Sequence, residues 1–184
     1  MLVQICGPSG SGTTTLGKAL NERLKYVHLD SDDFFWLPTD PPYTEKRPIE
    51  QRQELMQKEL QNVTNGVITG CFMGWGDVFI PLLDLVVYLW VPTEIRIERL
   101  RQRELKELGV EALGPGGNMH ENHKAFLSWA SQYDSGGLDM RSRASHAEWL
   151  AKLSCPVLRI EGEVSLEHSL QLLISKIGEL DSQT

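Results

Sequence analysis

Gly7-Pro8-Ser9-Gly10-Ser11-Gly12-Thr13-Thr14 lies between the apolar run Leu2 to Cys6 and a segment in which Leu16, Ala19, Leu20 and Leu24 recur at helical spacing. The order predicts a buried strand, a glycine-rich turn and a helix. The turn fits G-x-x-x-x-G-[K]-[ST] at every fixed position except the lysine, where Thr13 stands. Glycines let the backbone turn so that successive N–H groups point inward. Together with the positive end of the helix they form a cradle for a chain of phosphates. Gly7, Pro8, Ser9, Gly10, Ser11 and Gly12, with Thr13, Thr14 and Thr15, are the candidate phosphate-binding residues, and the Thr14 hydroxyl is placed to reach a phosphate-bound Mg²⁺.

Working outward, Tyr26 to Leu29, Val67 to Met73, Leu85 to Val91 and Pro156 to Ile160 read as further short apolar strands. Helices separate them. Pro48 opens one that ends at Asn65-Gly66, Pro92-Thr93 caps one running to about Leu108, and Leu166 to Ile177 gives a final amphipathic one. Between strands four and five, residues 109–153 read as helical, with glycine breaks at 114–117 and 136–137 that resemble hinges. Asn118 with Glu121 predicts a capping box there. Strands without polar alternation are those buried on both faces. The expectation is therefore one three-layer α/β domain over 1–184, with a five-stranded parallel sheet and 109–153 as a helical, lid-type insertion before the last strand.

With 184 residues the chain is the size of one domain. Eighteen Lys and Arg against 25 Asp and Glu leave a net charge of −7, which argues against holding duplex nucleic acid by broad phosphate neutralisation. No apolar run reaches the ~18 residues of a membrane span. Met1 to Ile5 carries no basic region of a signal peptide. The three cysteines are scattered, which fits reduced thiols and a cytoplasmic location. His120 and His123 do not form a zinc motif and read as helix surface.

Asp30-Ser31-Asp32-Asp33 closes the second strand. In a parallel sheet the C-terminal strand ends line the ligand crevice, so these carboxylates either serve a site or cap a helix. No acid stands at the end of the third strand, Thr69-Gly70, although Asp77 follows after a glycine-rich turn. Phe34, Phe35, Trp36 and Tyr43 cluster around a proline-rich loop, to stack on a substrate ring or to pack the loop. Lys46 and Arg47 follow them. Arg96, Arg99 and Arg103 share one helix face by their spacing, amid glutamates that offer an alternative surface ion-pair network.

The loop, the strand order and the insertion before the last strand resemble the P-loop kinases of the nucleoside-monophosphate kinase type, over nearly the whole chain. His28-Leu29-Asp30, Phe35-Trp36-Leu37-Pro38 and Thr69-Gly70 bring the likeness closest to the bacterial adenylate-kinase-like or topology-modulation-like proteins. The resemblance implies ATP and Mg²⁺ as cofactors and transfer of the γ-phosphoryl group to a small-molecule or nucleoside-monophosphate acceptor. Asp30-x-Asp32 is similar to the Asp-x-Asp of shikimate and gluconate kinases, which makes Asp32 the residue to orient or deprotonate the acceptor and, with Thr14, to hold the metal shell. Asp30, Asp33, Trp36, Arg47 and Gly70 are then candidate acceptor-binding residues. Arg99, Arg103 and Arg141 take the catalytic role of clamping the transferring phosphate, and Arg143 joins the ATP-binding set.

The departure is Thr13, where the family has lysine. Another cation, from Lys18 or an arginine of the insertion, replaces it, or the site binds nucleotide without fast transfer. A nucleotide-binding regulatory protein with little turnover is therefore the alternative to a phosphotransferase. Ser11-Gly12-Thr13-Thr14 also resembles a sulfotransferase loop, without the basic residue that usually precedes it. The acceptor and the oligomeric state are not encoded in any motif.

Overall fold

A computed structural model describes residues 1–182. Five parallel strands, β1 (Leu2–Cys6), β2 (Val27–Asp30), β3 (Gly66–Thr69), β4 (Leu85–Trp90) and β5 (Val157–Glu161), form one sheet in the order β2-β3-β1-β4-β5. The helices are α1 (Thr13–Leu24), α2 (Ser31–Phe35), α3 (Ile49–Leu60), α4 (Thr93–Leu113), α5 (His120–Ser131), α6 (Arg143–Leu150) and α7 (Leu166–Asp181). β1 is central, flanked by β3 and β4, so the loop after it opens at the point where the chain turns from one half of the sheet to the other.

Strand alternation sorts the core into two layers. Leu2, Cys6, Ile68, Val86 and Tyr88 face one side and pack with Met56 of α3 and Trp149 and Leu150 of α6. Val3, Ile5, Val67, Val87 and Leu89 face the other, against Leu16 and Leu20 of α1 and Leu170, Leu173 and Ile177 of α7. Each such side chain, removed from water, contributes about 1.5–3 kcal/mol. The expected three-layer α/β architecture is the one observed.

Several local expectations are corrected. β3 stops at Thr69 rather than Met73, because Gly70 turns to φ 88°. In Asp30-Ser31-Asp32-Asp33 the capping alternative is observed: Asp30 caps the short α2 by accepting from the Asp32 N–H at 3.1 Å. A 3₁₀ turn over Asp77–Leu82, containing Pro81, occupies what reads as a plain connection. The capping box at Asn118 does not form; α5 begins at His120 behind Met119, with no side-chain cap. A box forms instead at α6, where Ser142 and Ser145 cap each other's backbone N–H groups. α4 continues past Leu108 to Leu113 but breaks at Gly109 (φ 82°, ψ 164°). No helix of the described residues is long and apolar enough to cross a membrane.

Candidate functional site

The loop after β1 is held from behind by close backbone contacts. A Cβ at Gly7 would lie 2.2 Å from the Leu89 carbonyl oxygen. One at Gly10, where φ is 83°, would lie 2.7 Å from the Arg96 carbonyl oxygen. Gly12, at φ 96°, leads into α1 without any side-chain cap, and the first turn of α1 carries no acid. The first N–H groups of α1 therefore face the cleft with the positive end of the helix dipole behind them. The Ser11 hydroxyl is buried in the loop and has no hydrogen-bond partner. These are the features of a cradle complementary to phosphate oxygens.

The loop opens into a cleft of about 1930 Å³. Every loop residue from Gly7 to Thr15 lines it, with Asp30, Asp32, Asp33, Trp36 and Gly70 on one wall and Arg99, Arg103 and Arg141 on another. Asp30 is set by β2 and Thr14 by α1, and Thr14 Oγ1 donates to Asp30 Oδ2 at 2.9 Å. Asp32 lies open to the cleft yet surrounded by protein. Burial, and then the neighbouring Asp30 carboxylate, raise its pKa, while Arg141 and Arg103 oppose the rise. Asp33 is raised in the same way, by burial first and then by Asp30. Gly70 is where β3 passes α2: a Cβ there would lie 2.2 Å from the Ser31 hydroxyl oxygen. Its carbonyl accepts from Gln4 Nε2 at 2.7 Å, which pins the strand end to β1.

Arg141 reaches the loop itself. Its Nη2 donates to Ser9 Oγ at 2.5 Å, and the guanidinium sits 4.8 Å from the centre of the Trp129 ring. Its Nε is buried with no hydrogen-bond partner. Arg99 and Arg103 project from α4 into the cleft, and among the described residues neither has a hydrogen-bond or ion-pair partner. The neighbouring Arg101 instead pairs with Glu98 at 3.9 Å on the outer side.

Arg96 leaves the expected arginine face. It is fully buried and donates to the carbonyls of Val91 (2.9 Å), Ser9 (3.3 Å) and Ala130 (3.3 Å). It also donates to Thr93 Oγ1 (2.8 Å) and Asp134 Oδ2 (3.3 Å). It thus ties the phosphate loop to α4 and to the end of α5.

Two sequence expectations are corrected. Arg47 does not line the cleft; it donates to the carbonyls of Phe34 (2.9 Å), Trp36 (3.0 Å) and Asp33 (3.5 Å), and so fixes the chain after α2. Arg143 is also outside it, paired with Glu161 at 3.3 Å and lying over the Trp90 ring at 4.7 Å. The carboxylate that meets Thr14 is that of Asp30, beside the Asp32 expected to share the metal shell. A hydroxyl and a carboxylate oxygen side by side suit Mg²⁺, which takes few protein oxygens and completes its octahedron with phosphate and water. His120 and His123 are helix contacts: His120 Nδ1 donates to the Leu113 carbonyl, and His123 Nδ1 meets the Glu104 carboxylate.

Some site residues carry no sequence signal. Arg52 lies 3.9 Å from the Phe35 ring and donates to the Arg47 carbonyl at 2.6 Å. Behind Gly70, Cys71 Sγ is 3.7 Å from His146 Nε2, and His146 Nδ1 is 2.9 Å from the Tyr133 hydroxyl, which meets Tyr88 at 2.8 Å. Burial, and then Arg141, lower the His146 pKa to about 4. These contacts join residues far apart in the chain.

A central β1, a glycine cradle at its end and carboxylates at the end of β2 define a P-loop protein of the nucleoside-monophosphate-kinase-like type. Residues 3–125 match the family described as an AAA domain, and the chain belongs to it. It is 45% identical to the uncharacterized protein YqaC of Bacillus subtilis, over 96% of this chain and 97% of that one. It is 32% identical to a cytidylate kinase of Archaeoglobus fulgidus, over 60% of this chain and 66% of the relative. A shikimate kinase from Bacteroides thetaiotaomicron superposes with a TM-score of 0.57 at 18% identity, covering 97% of this chain and 98% of the other. A deoxyadenosine kinase from M. mycoides superposes with a TM-score of 0.54 at 16% identity, covering 97% and 100%.

Proposed function

We propose that this protein is a Mg²⁺-dependent kinase that moves the γ-phosphoryl group of ATP to a hydroxyl or phosphate oxygen of a small acceptor. The observation that carries the reading is the meeting of Arg141 with Ser9 on the loop that lacks its lysine, opposite Asp32. In this reading the loop N–H groups and the Ser11 hydroxyl hold the phosphates. Thr14 and Asp30 would hold Mg²⁺, which would supply neutralisation of phosphate charge. Arg141, Arg99 and Arg103 stabilise negative charge on the transferring group. Asp32 orients the acceptor and, where this is a hydroxyl, takes its proton. The new bond forms from acceptor oxygen to γ-phosphorus as the bond to the β-bridging oxygen breaks, and ADP leaves.

Arg141→Met is expected to lower kcat by about two to three orders of magnitude with little change in ATP affinity. Adding Thr13→Lys to that variant is expected to restore at least about tenfold. A kcat within about threefold of the parent in Arg141→Met would remove the arginine from the mechanism. The second reading, a nucleotide-binding regulatory protein, draws on Thr13 and on the lack of an acid at Thr69-Gly70. ATP binding without acceptor-dependent ADP release across a broad acceptor panel would favour it.

A further inference from the structure

The cleft wall away from the arginines of the insertion, where an acceptor would lie, is formed by α2, the turn after β3 and α6. It presents the carboxylates of Asp33, Asp77 and Glu148 and the rings of Phe35, Trp36 and Trp75. Its arginines are already engaged. Arg47 has its guanidinium donors on three carbonyls, and Arg52 is buried between the Phe35 and Trp75 rings. Lys152 and Glu148 pair at 2.7 Å and cancel each other, which leaves Asp33 and Asp77, among the described residues, as the wall's unpaired carboxylates. Lys46 lines the cleft 5.9 Å from the Phe35 ring centre, and Lys18 of α1 acts on Asp33; both are single flexible ammonium groups, not a fixed guanidinium fork. Asp77 uses Oδ1 for the Gly74 N–H (2.9 Å) and the Trp149 indole (2.8 Å), so its charge remains at the wall.

A phosphate monoester on an acceptor needs fixed, charge-assisted donors, best a bidentate guanidinium. This wall offers carboxylates instead, and carboxylates a few ångströms from a phosphate repel it. Aromatic faces beside carboxylates favour the opposite kind of ligand, a flat ring that is neutral or cationic.

We propose that the acceptor is an alcohol that carries no phosphate: a neutral or cationic hydroxyl compound of nucleoside size with a planar ring, rather than a nucleoside monophosphate. The transfer step rests on the kinase reading above; the binding preference does not. In transfer, the acceptor oxygen bonds to the γ-phosphorus, its proton passes to the Asp32 carboxylate and then to solvent, and ADP carries away the bridging oxygen.

The test is a set of matched pairs, each of four nucleosides with its own 5′-monophosphate. Binding is measured by calorimetry on protein loaded with Mg²⁺ and a non-hydrolysable ATP analogue, and ADP release is measured with ATP. The nucleoside of at least one pair is expected to bind at least about tenfold tighter than its monophosphate, and Asp33→Asn is expected to narrow that ratio at least about threefold. Tighter binding of the monophosphate across the pairs, or no nucleoside binding below about 10 mM, would overturn the assignment. Nucleoside preference in calorimetry without ADP release would support the acceptor class while refuting the kinase reading.

Discussion

Replacing Arg96 with methionine tests whether the guanidinium is a structural tie or a surplus cation. The side chain is fully buried, and its removal strands the carbonyls of Val91, Ser9 and Ala130 and the carboxylate of Asp134. Removing one member of a buried ion pair destabilises by about 3–5 kcal/mol. The Asp134 side chain is 30% exposed and recovers some hydration, which points to the lower part of that range. Loss of the contact with the Tyr133 ring, 5.2 Å from the guanidinium, adds a fraction of a kcal/mol to about 1. A loss of about 3–4 kcal/mol is the result. At about 2–4 °C per kcal/mol for a chain of this size, the melting temperature falls by roughly 6–16 °C. In urea, an m-value of about 2 kcal/mol/M moves the midpoint down by roughly 1.5–2 M. Arg101→Met, at an exposed pair, serves as the control and changes stability by no more than about 0.5 kcal/mol. If Arg96→Met destabilised by less than about 1 kcal/mol with an unchanged m-value, burial of the charge would offset its hydrogen bonds and the tie would not exist.

Two further perturbations follow from the same packing. Folded His146 takes its proton only near pH 4, whereas in the unfolded chain it does so near the ordinary value of 6.5. The unfolded state thus holds more protons between those values, so stability rises with pH across that window and is lost on acidification from about 6.5 to 4. The loss is roughly 3 kcal/mol, and His146→Gln should flatten this part of a urea-midpoint profile; an unchanged slope would show that another group is responsible. Gly7→Ala forces a Cβ against the Leu89 carbonyl and should abolish the thermal shift produced by ATP, whereas Gly12→Ala, with open space around its Cβ but a positive φ, should weaken it far less; equal effects would contradict the packing of the loop.

The layers of the fold were legible because they depend on local runs. Apolar stretches without alternation, such as Leu85 to Val91, signal burial on both faces. α2 was not, because five residues complete little more than one turn and Asp30-Ser31-Asp32-Asp33 carries acids and no apolar periodicity. At the site, the glycine cradle and the acidic cluster were readable from spacing that is local in the chain. The roles of the arginines were not. Arg96 and Arg99 look alike on a helical wheel, yet one meets Asp134 and the Ala130 carbonyl and the other faces the cleft, a division set by α5 packing on α4. Arg47 similarly reads as a free cation until the chain after α2 folds its carbonyls around it.

The break at Gly109 divides α4 into segments with separate axes. Arg99 and Arg103 sit on the first, one and two turns beyond the Arg96 anchor, and do not depend on the segment past the break. The helical turns that carry them are thus tied to the phosphate loop through Arg96, while their own side chains stay exposed. Under the proposed kinase reading, movement beyond Gly109 would govern access of water and substrate without displacing the turns that bear these arginines.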